Sequence, residues 1–143
     1  KNPNWSLEFH TAYSPQISEK ERAYFLDKRD LLTRIATIWG ASNSHQTKIL
    51  DEIYKREKDS ESWEIQASLT TSPHCNPDYL HHIATGVGKE TGYGYILRIV
   101  SRNPNVKRET LEVIANDPKV EPRYTQCARV ALEHGKGVAN HQI

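Results

Sequence analysis

The sequence predicts an all-α protein, a short α-solenoid of about four helical repeats of 30–31 residues behind an extended N-terminal segment. Three observations predict it. First, a phrase recurs. Residues 69–84 read Leu-Thr-Thr-Ser-Pro-His-Cys-Asn-Pro-Asp-Tyr-Leu-His-His-Ile-Ala, and residues 100–115, 31 positions on, read Val-Ser-Arg-Asn-Pro-Asn-Val-Lys-Arg-Glu-Thr-Leu-Glu-Val-Ile-Ala. Self-similarity at a fixed period marks a helical array. Second, Pro73 and Pro104 fall at equivalent places, and each pushes the residue before it out of the α region, so a helix must stop there. Third, Leu80, Ile83 and Ala84, like Leu111, Ile114 and Ala115, form an apolar stripe at helical spacing.

The elements follow in order. Residues 1–17 carry Trp5, Leu7, Phe9 and Tyr13 at odd positions between Pro3 and Pro15, a period-2 pattern that predicts an extended segment. Ser18 with Glu21 reads as a capping box, so a helix starts there. Tyr24, Leu31, Ile35 and Ile38 continue at helical spacing, with a break plausible over 27–30. Gly40–Ser44 reads as a loop, and the next helix runs through Ile49, Leu50 and Ile53, closing a first unit over 18–58. Shifted by 30, Ile35 falls on Ile65, Ser42 on Ser72, Leu50 on Leu80 and Ile53 on Ile83.

The second unit, 62–88, pairs a helix over Ser62–Thr70 with one over Asp78–Thr85, where Pro77 suits a helix start. The third, 93–118, pairs Tyr93–Ser101 with Lys107–Asn116. The fourth, 122–137, begins at Pro122, and its Cys127, Val130 and Ala131 fall under Ile96, Ile99 and Val100. The glycines between Gly86 and Gly94 read as an inter-repeat loop. All four units are read as one domain over 1–143.

Asn103-Pro104-Asn105, Glu109-Thr110-Leu111 and Ile114-Ala115-Asn116-Asp117-Pro118 resemble the leucine-rich-repeat variant, a bacterial helical repeat, and Ser72-Pro73-His74 with Asn76–Leu80 and Ile83-Ala84 is similar. The resemblance covers about half of the chain and implies a right-handed superhelix without a sheet. Units of 30–31 residues exceed the family's own, and the extra residues lie before the first helix of each unit. The founding member's iron–sulfur cluster does not carry over, since Cys75 and Cys127 cannot supply four thiolates.

Composition bounds the function. The chain has 143 residues and a formal net charge of +1, too little to argue for nucleic acid. Residues 95–143 hold eight Lys/Arg against five Asp/Glu, a mild basic bias. No apolar run approaches the ~20 residues that span a bilayer, and no signal-peptide pattern opens the chain. It begins at Lys1 without any Met, so it is expected to be processed or part of a longer protein. The two cysteines read as thiols of a reducing compartment, the cytoplasm.

Little points to catalysis. Gly86-Val87-Gly88-Lys89-Glu90-Thr91 fails the phosphate-loop pattern, since Ile83 stands where its first Gly belongs and Glu90 where Ser/Thr belongs. His74, Cys75, His81 and His82 lack convergent zinc spacing. Neither an enzyme nor a cofactor is expected. The best binding candidate is a basic column. Arg98 and Arg129 hold equivalent positions in successive helices, Arg102 lies one turn from Arg98, and Tyr93 and Tyr95 are near the helix start. Such a ladder could hold phosphates or an acidic peptide. The competing reading pairs Arg129 with Glu133 and leaves the rest solvated. The expected function is a non-enzymatic module that binds another protein on its stacked helices. The alternative is nucleic-acid binding at the basic C-terminal end.

Overall fold

A computed structural model of the chain describes residues 3–60, 62–86 and 93–135. Among them the chain forms nine α-helices, one 3₁₀ helix and no strand. It divides into two compact units, residues 1–57 and 58–143.

The first unit contains α1 (Pro3–Tyr13), α2 (Glu19–Arg22), a 3₁₀ turn (Ala23–Asp27), α3 (Leu31–Asn43) and α4 (Thr47–Glu57). The extended segment expected over residues 1–17 is therefore largely a helix. Pro3 opens it, at a position whose N–H would have no helical partner anyway. The odd-position pattern misleads because a stretch this short fits both periods. Phe9 and Ala12, three apart, pack inward with Phe25, Ala36 and Ile17, while Leu7 is 64% exposed.

Ser18 caps α2 as expected, with Ser18 Oγ accepting from Glu21 N at 3.0 Å and Glu21 Oε1 accepting from Ser18 N at 2.7 Å. The bond from the Ser18 backbone, then that from its hydroxyl, holds the Glu21 carboxyl below its ordinary pKa. The break over 27–30 is present, and Asp30 starts α3 by accepting from Thr33 N at 3.0 Å.

The loop expected over Gly40–Ser44 is instead the last turn of α3. Gly40 is there for close approach. A Cβ on it would lie 2.4 Å from the Ala12 carbonyl oxygen and 2.9 Å from Nε and Nη2 of Arg22. Arg22 is wholly buried. Its guanidinium donates to the carbonyls of Ala12, near the end of α1, and Ser14, just beyond it, and to Gln46 Oε1. The α3 end closes without glycine. His45 takes the left-handed conformation (φ 57°), its N–H bonds to Ser42 O, and the Gln46 N–H bonds to Ala41 O. Arg34 ties α3 to α4 through a bidentate pair with Glu57, at 2.7 and 3.1 Å.

The second unit contains α5 (Trp63–Thr71), α6 (Pro77–Thr85), α7 (Tyr93–Arg102), α8 (Arg108–Ala115) and α9 (Pro122–Glu133). These agree with the helices expected from sequence to within two residues, and α9 ends at Glu133. Helices α5, α7 and α9 pack in sequence, α6 packs on α8, and α8 on α9. Ile65, Leu69, Leu80, Ile83, Ile96, Val100 and Leu111 are wholly buried between them. The starts have local causes. Ser62 accepts from Ile65 N at 3.3 Å, and Asn76 accepts from Asp78 N at 2.7 Å ahead of Pro77. Residues 87–92 of the expected glycine loop, and the end of the expected fourth repeat beyond 135, lie outside the described residues. Gly94, read as part of that loop, belongs to α7.

The turn after α7 is tied to the turn after α5. Asn105 Nδ2 donates to the carbonyls of Pro73 at 2.6 Å and Cys75 at 3.1 Å. Lys107 forms an ion pair with Asp78, which raises the Lys107 pKa through their hydrogen bond.

Candidate functional site

In the second unit a groove of about 590 Å³ lies between α7 and α9. Arg98, Ser101 and Arg102 line it from α7. Arg123, Gln126, Cys127, Val130 and Ala131 line it from α9. The α9 residues recur at i, i+3, i+4, i+7 and i+8, so they form one stripe of that helix. No carboxylate is among these lining residues. Buried Ser101 spends its hydroxyl on the Leu97 carbonyl, at 2.8 Å.

Tyr124 organises the charged part. The Arg98 guanidinium carbon lies 5.5 Å from the centroid of its ring, and that of Arg123 lies 4.6 Å away. Both are cation–π distances. The ring sits directly on α7, because a Cβ on Gly94 would come within 2.3 Å of Tyr124 Cδ2. Glycine inside α7 costs helix propensity, and its use here is to admit that ring. Arg123 is anchored further by its Nε–H on Glu121 Oε1, at 2.8 Å. Arg98 and Arg102 have no carboxylate partner among the described residues.

The expected basic column is only half assembled. Arg98 and Arg102 share the groove, as their spacing implies. Arg129 lines a second hollow, of about 270 Å³, with Pro122, Gln126, Val130 and Glu133. Gln126 and Val130 border both, so they stand between Arg129 and the other two arginines. Arg129 does not pair with Glu133 either; its Nη1 donates to Thr125 Oγ1 at 2.6 Å. Thr125 is buried, so this bond draws the guanidinium back along its own helix.

Tyr95 is not in the groove. It meets Trp63 of α5 edge to face, with centroids 5.9 Å apart, and both rings are partly exposed. The Tyr93 side chain lies outside the described residues. Arg123, the third groove arginine, was missed from sequence. The 31-residue register places Gly92 beneath it, so no column runs through it. The helical stripe from Arg123 to Ala131 was the available signal.

The histidines take separate partners. His81 Nδ1 lies 2.7 Å from Thr110 Oγ1, and His82 Nε2 lies 3.0 Å from Asp59 Oδ1. No three His, Cys, Asp or Glu side chains converge as metal ligands among the described residues. No described helix is long and apolar enough to cross a membrane. In the first unit, a cavity of about 20 Å³ beside Phe25, Ile38 and Ile53 has room for little more than one water. No family model matches the chain, and searches of curated proteins and of solved structures return no match.

Proposed function

We propose that the protein is a non-enzymatic helical-repeat module that binds another protein on the face of its packed helices, with the α7–α9 groove as the contact. One observation carries this reading. Three guanidinium groups, from Arg98, Arg102 and Arg123, line a groove whose remaining wall includes apolar Val130 and Ala131 and, among the described residues, no carboxylate. Such a lining complements an acidic segment that also carries an apolar side chain. Guanidinium forks bind carboxylate and phosphate oxygens in a fixed geometry, so the groove has direction as well as charge.

We further read the chain as a right-handed solenoid of four units akin to the leucine-rich-repeat variant, acting in the cytoplasm. Equivalent burial of Leu80 and Leu111, 31 positions apart, supports that register within the second unit.

The test is site-specific photo-crosslinking in cells. A photoreactive residue replaces Gln126 in the groove or, as a control, exposed Glu112 on α8. The groove position should capture a discrete protein that the control does not. Charge reversal at Arg98, Arg102 and Arg123 should remove it. Equal capture from both positions would reject the groove as the contact. The mild basic excess of residues 95–143 supports nucleic acid as a second reading. It requires a mobility shift with short duplexes whose affinity falls steeply with salt.

A further inference from the structure

We infer that the α7–α9 groove is a phosphomonoester site, which receives a phosphorylated side chain of the protein partner. This rests on the reading of the groove as a protein-binding contact and narrows what it binds.

Charge and donor count both point to a phosphomonoester. One bidentate arginine satisfies a carboxylate. This groove gathers three. Arg98 and Arg102 stand one turn apart on α7 with no carboxylate partner among the described residues. Arg123 engages Glu121 through Nε alone, which leaves its two terminal nitrogens outside that pair. A phosphomonoester brings a charge of about −1.5 to −2 and three strong acceptor oxygens near neutral pH, which a cluster of arginines can satisfy together. A phosphodiester carries one charge per group and suits a long basic track. The groove's lining is not such a track, since Cys127, Val130 and Ala131 share it with the three arginines.

The arginines are also held in advance. The Tyr124 ring stations the guanidinium groups of Arg98 and Arg123 beside the groove, and Gly94 lets the ring take that place. Side chains ordered before the ligand arrives lose less entropy on binding it. Val130 is partly exposed and is left to meet an apolar residue next to the phosphorylated one.

The groove contains its own reporter. Cys127 lines it and is half-buried, whereas Cys75 is wholly buried. The experiment measures iodoacetamide labelling of Cys127 in the whole chain by mass spectrometry at pH 7.5. It compares inorganic phosphate, phenyl phosphate, dimethyl phosphate and glutarate, each against sodium chloride at equal ionic strength. Phenyl phosphate and inorganic phosphate should slow labelling about three-fold or more once the site is filled, because the bound dianion covers the thiol. Arg102→Gln alone, and Arg98→Gln with Arg102→Gln, should abolish that protection while circular dichroism stays unchanged.

Equal protection by glutarate would overturn the phosphate assignment and leave the acidic-partner reading standing. Equal protection by dimethyl phosphate would overturn it in favour of a nucleic-acid backbone. Protection by no probe beyond chloride would overturn both the phosphate site and the charge argument for the groove. Protection that survives in both folded arginine variants would also overturn the assignment, since the arginines would not be the receptor.

Discussion

Asn103 donates its side-chain amide to the backbone carbonyl of Ser72, at 2.8 Å, and Ser72 stands 31 positions earlier in the chain. The same Nδ2 donates to Thr70 O at 2.6 Å. A helix leaves its last carbonyls without internal partners. Here the turn after α7 satisfies those at the end of α5. The Asn103 Oδ1 meanwhile accepts from Asn105 N at 2.8 Å, which shapes the donor turn.

Asn103→Ala should therefore destabilise the chain by about 2–3 kcal/mol, because two buried carbonyls lose their donor. Asn103→Asp should cost at least as much, since a carboxylate cannot donate to them. Urea unfolding at unchanged m-value is the measurement. A wild-type midpoint for both variants would show that water replaces the amide at no cost.

Leu80 and Leu111 are both wholly buried. Leu→Ala at either should cost ~2–5 kcal/mol through lost burial and the cavity left behind. Equal chemistry at equally buried sites should give similar losses, and thermal unfolding of the two variants side by side checks this.

Gly40→Ala would gain about 1 kcal/mol of helix propensity at an open site. The new Cβ would meet the Ala12 carbonyl at 2.4 Å and the Arg22 guanidinium at 2.9 Å. Backbone and a buried cation cannot both retreat, so the net effect should be a loss of about 1–3 kcal/mol. Denaturant melts give the sign directly.

Gly94→Ala should act on the groove rather than on the core. Its Cβ would displace the Tyr124 ring and with it the ring's contacts to Arg98 and Arg123, each worth about 0.5–1 kcal/mol at an exposed site. The expected result is a modest loss of stability together with faster labelling of Cys127.

Ser18→Ala should cost about 1 kcal/mol through loss of the α2 cap. The cap also gives a pH dependence. The folded pKa of Glu21 lies below its ordinary value, so its contribution is complete above the unfolded carboxylate pKa. It is lost as pH falls through the lowered folded value. Glu21→Gln should flatten that part of the stability profile below pH ~4.5, which melts across the acid range can read.

The sequence by itself determined the helical class and most helix starts of the second unit, because these depend on local chemistry. Ser18, Ser62, Asn76, Pro77 and Pro122 act within a turn of where they stand. Leu80 and Leu111 share a stripe that any helix would produce. Only the tertiary structure decided the rest. Helix α1 looked extended because the burial of Ala12 depends on Phe25 and Ala36, which lie far along the chain. Gly40 and Gly94 looked like loop residues because their reasons are Arg22 and Tyr124, which approach from other helices. The basic column paired Arg98 with Arg129 because repeat register assigns equivalent positions but not the rotamer. The bond to Thr125 draws Arg129 along its own helix, and the Tyr124 ring brings Arg123 to Arg98 instead. A side chain's direction is set by the nearest partner in space, and sequence spacing does not encode that partner across helices.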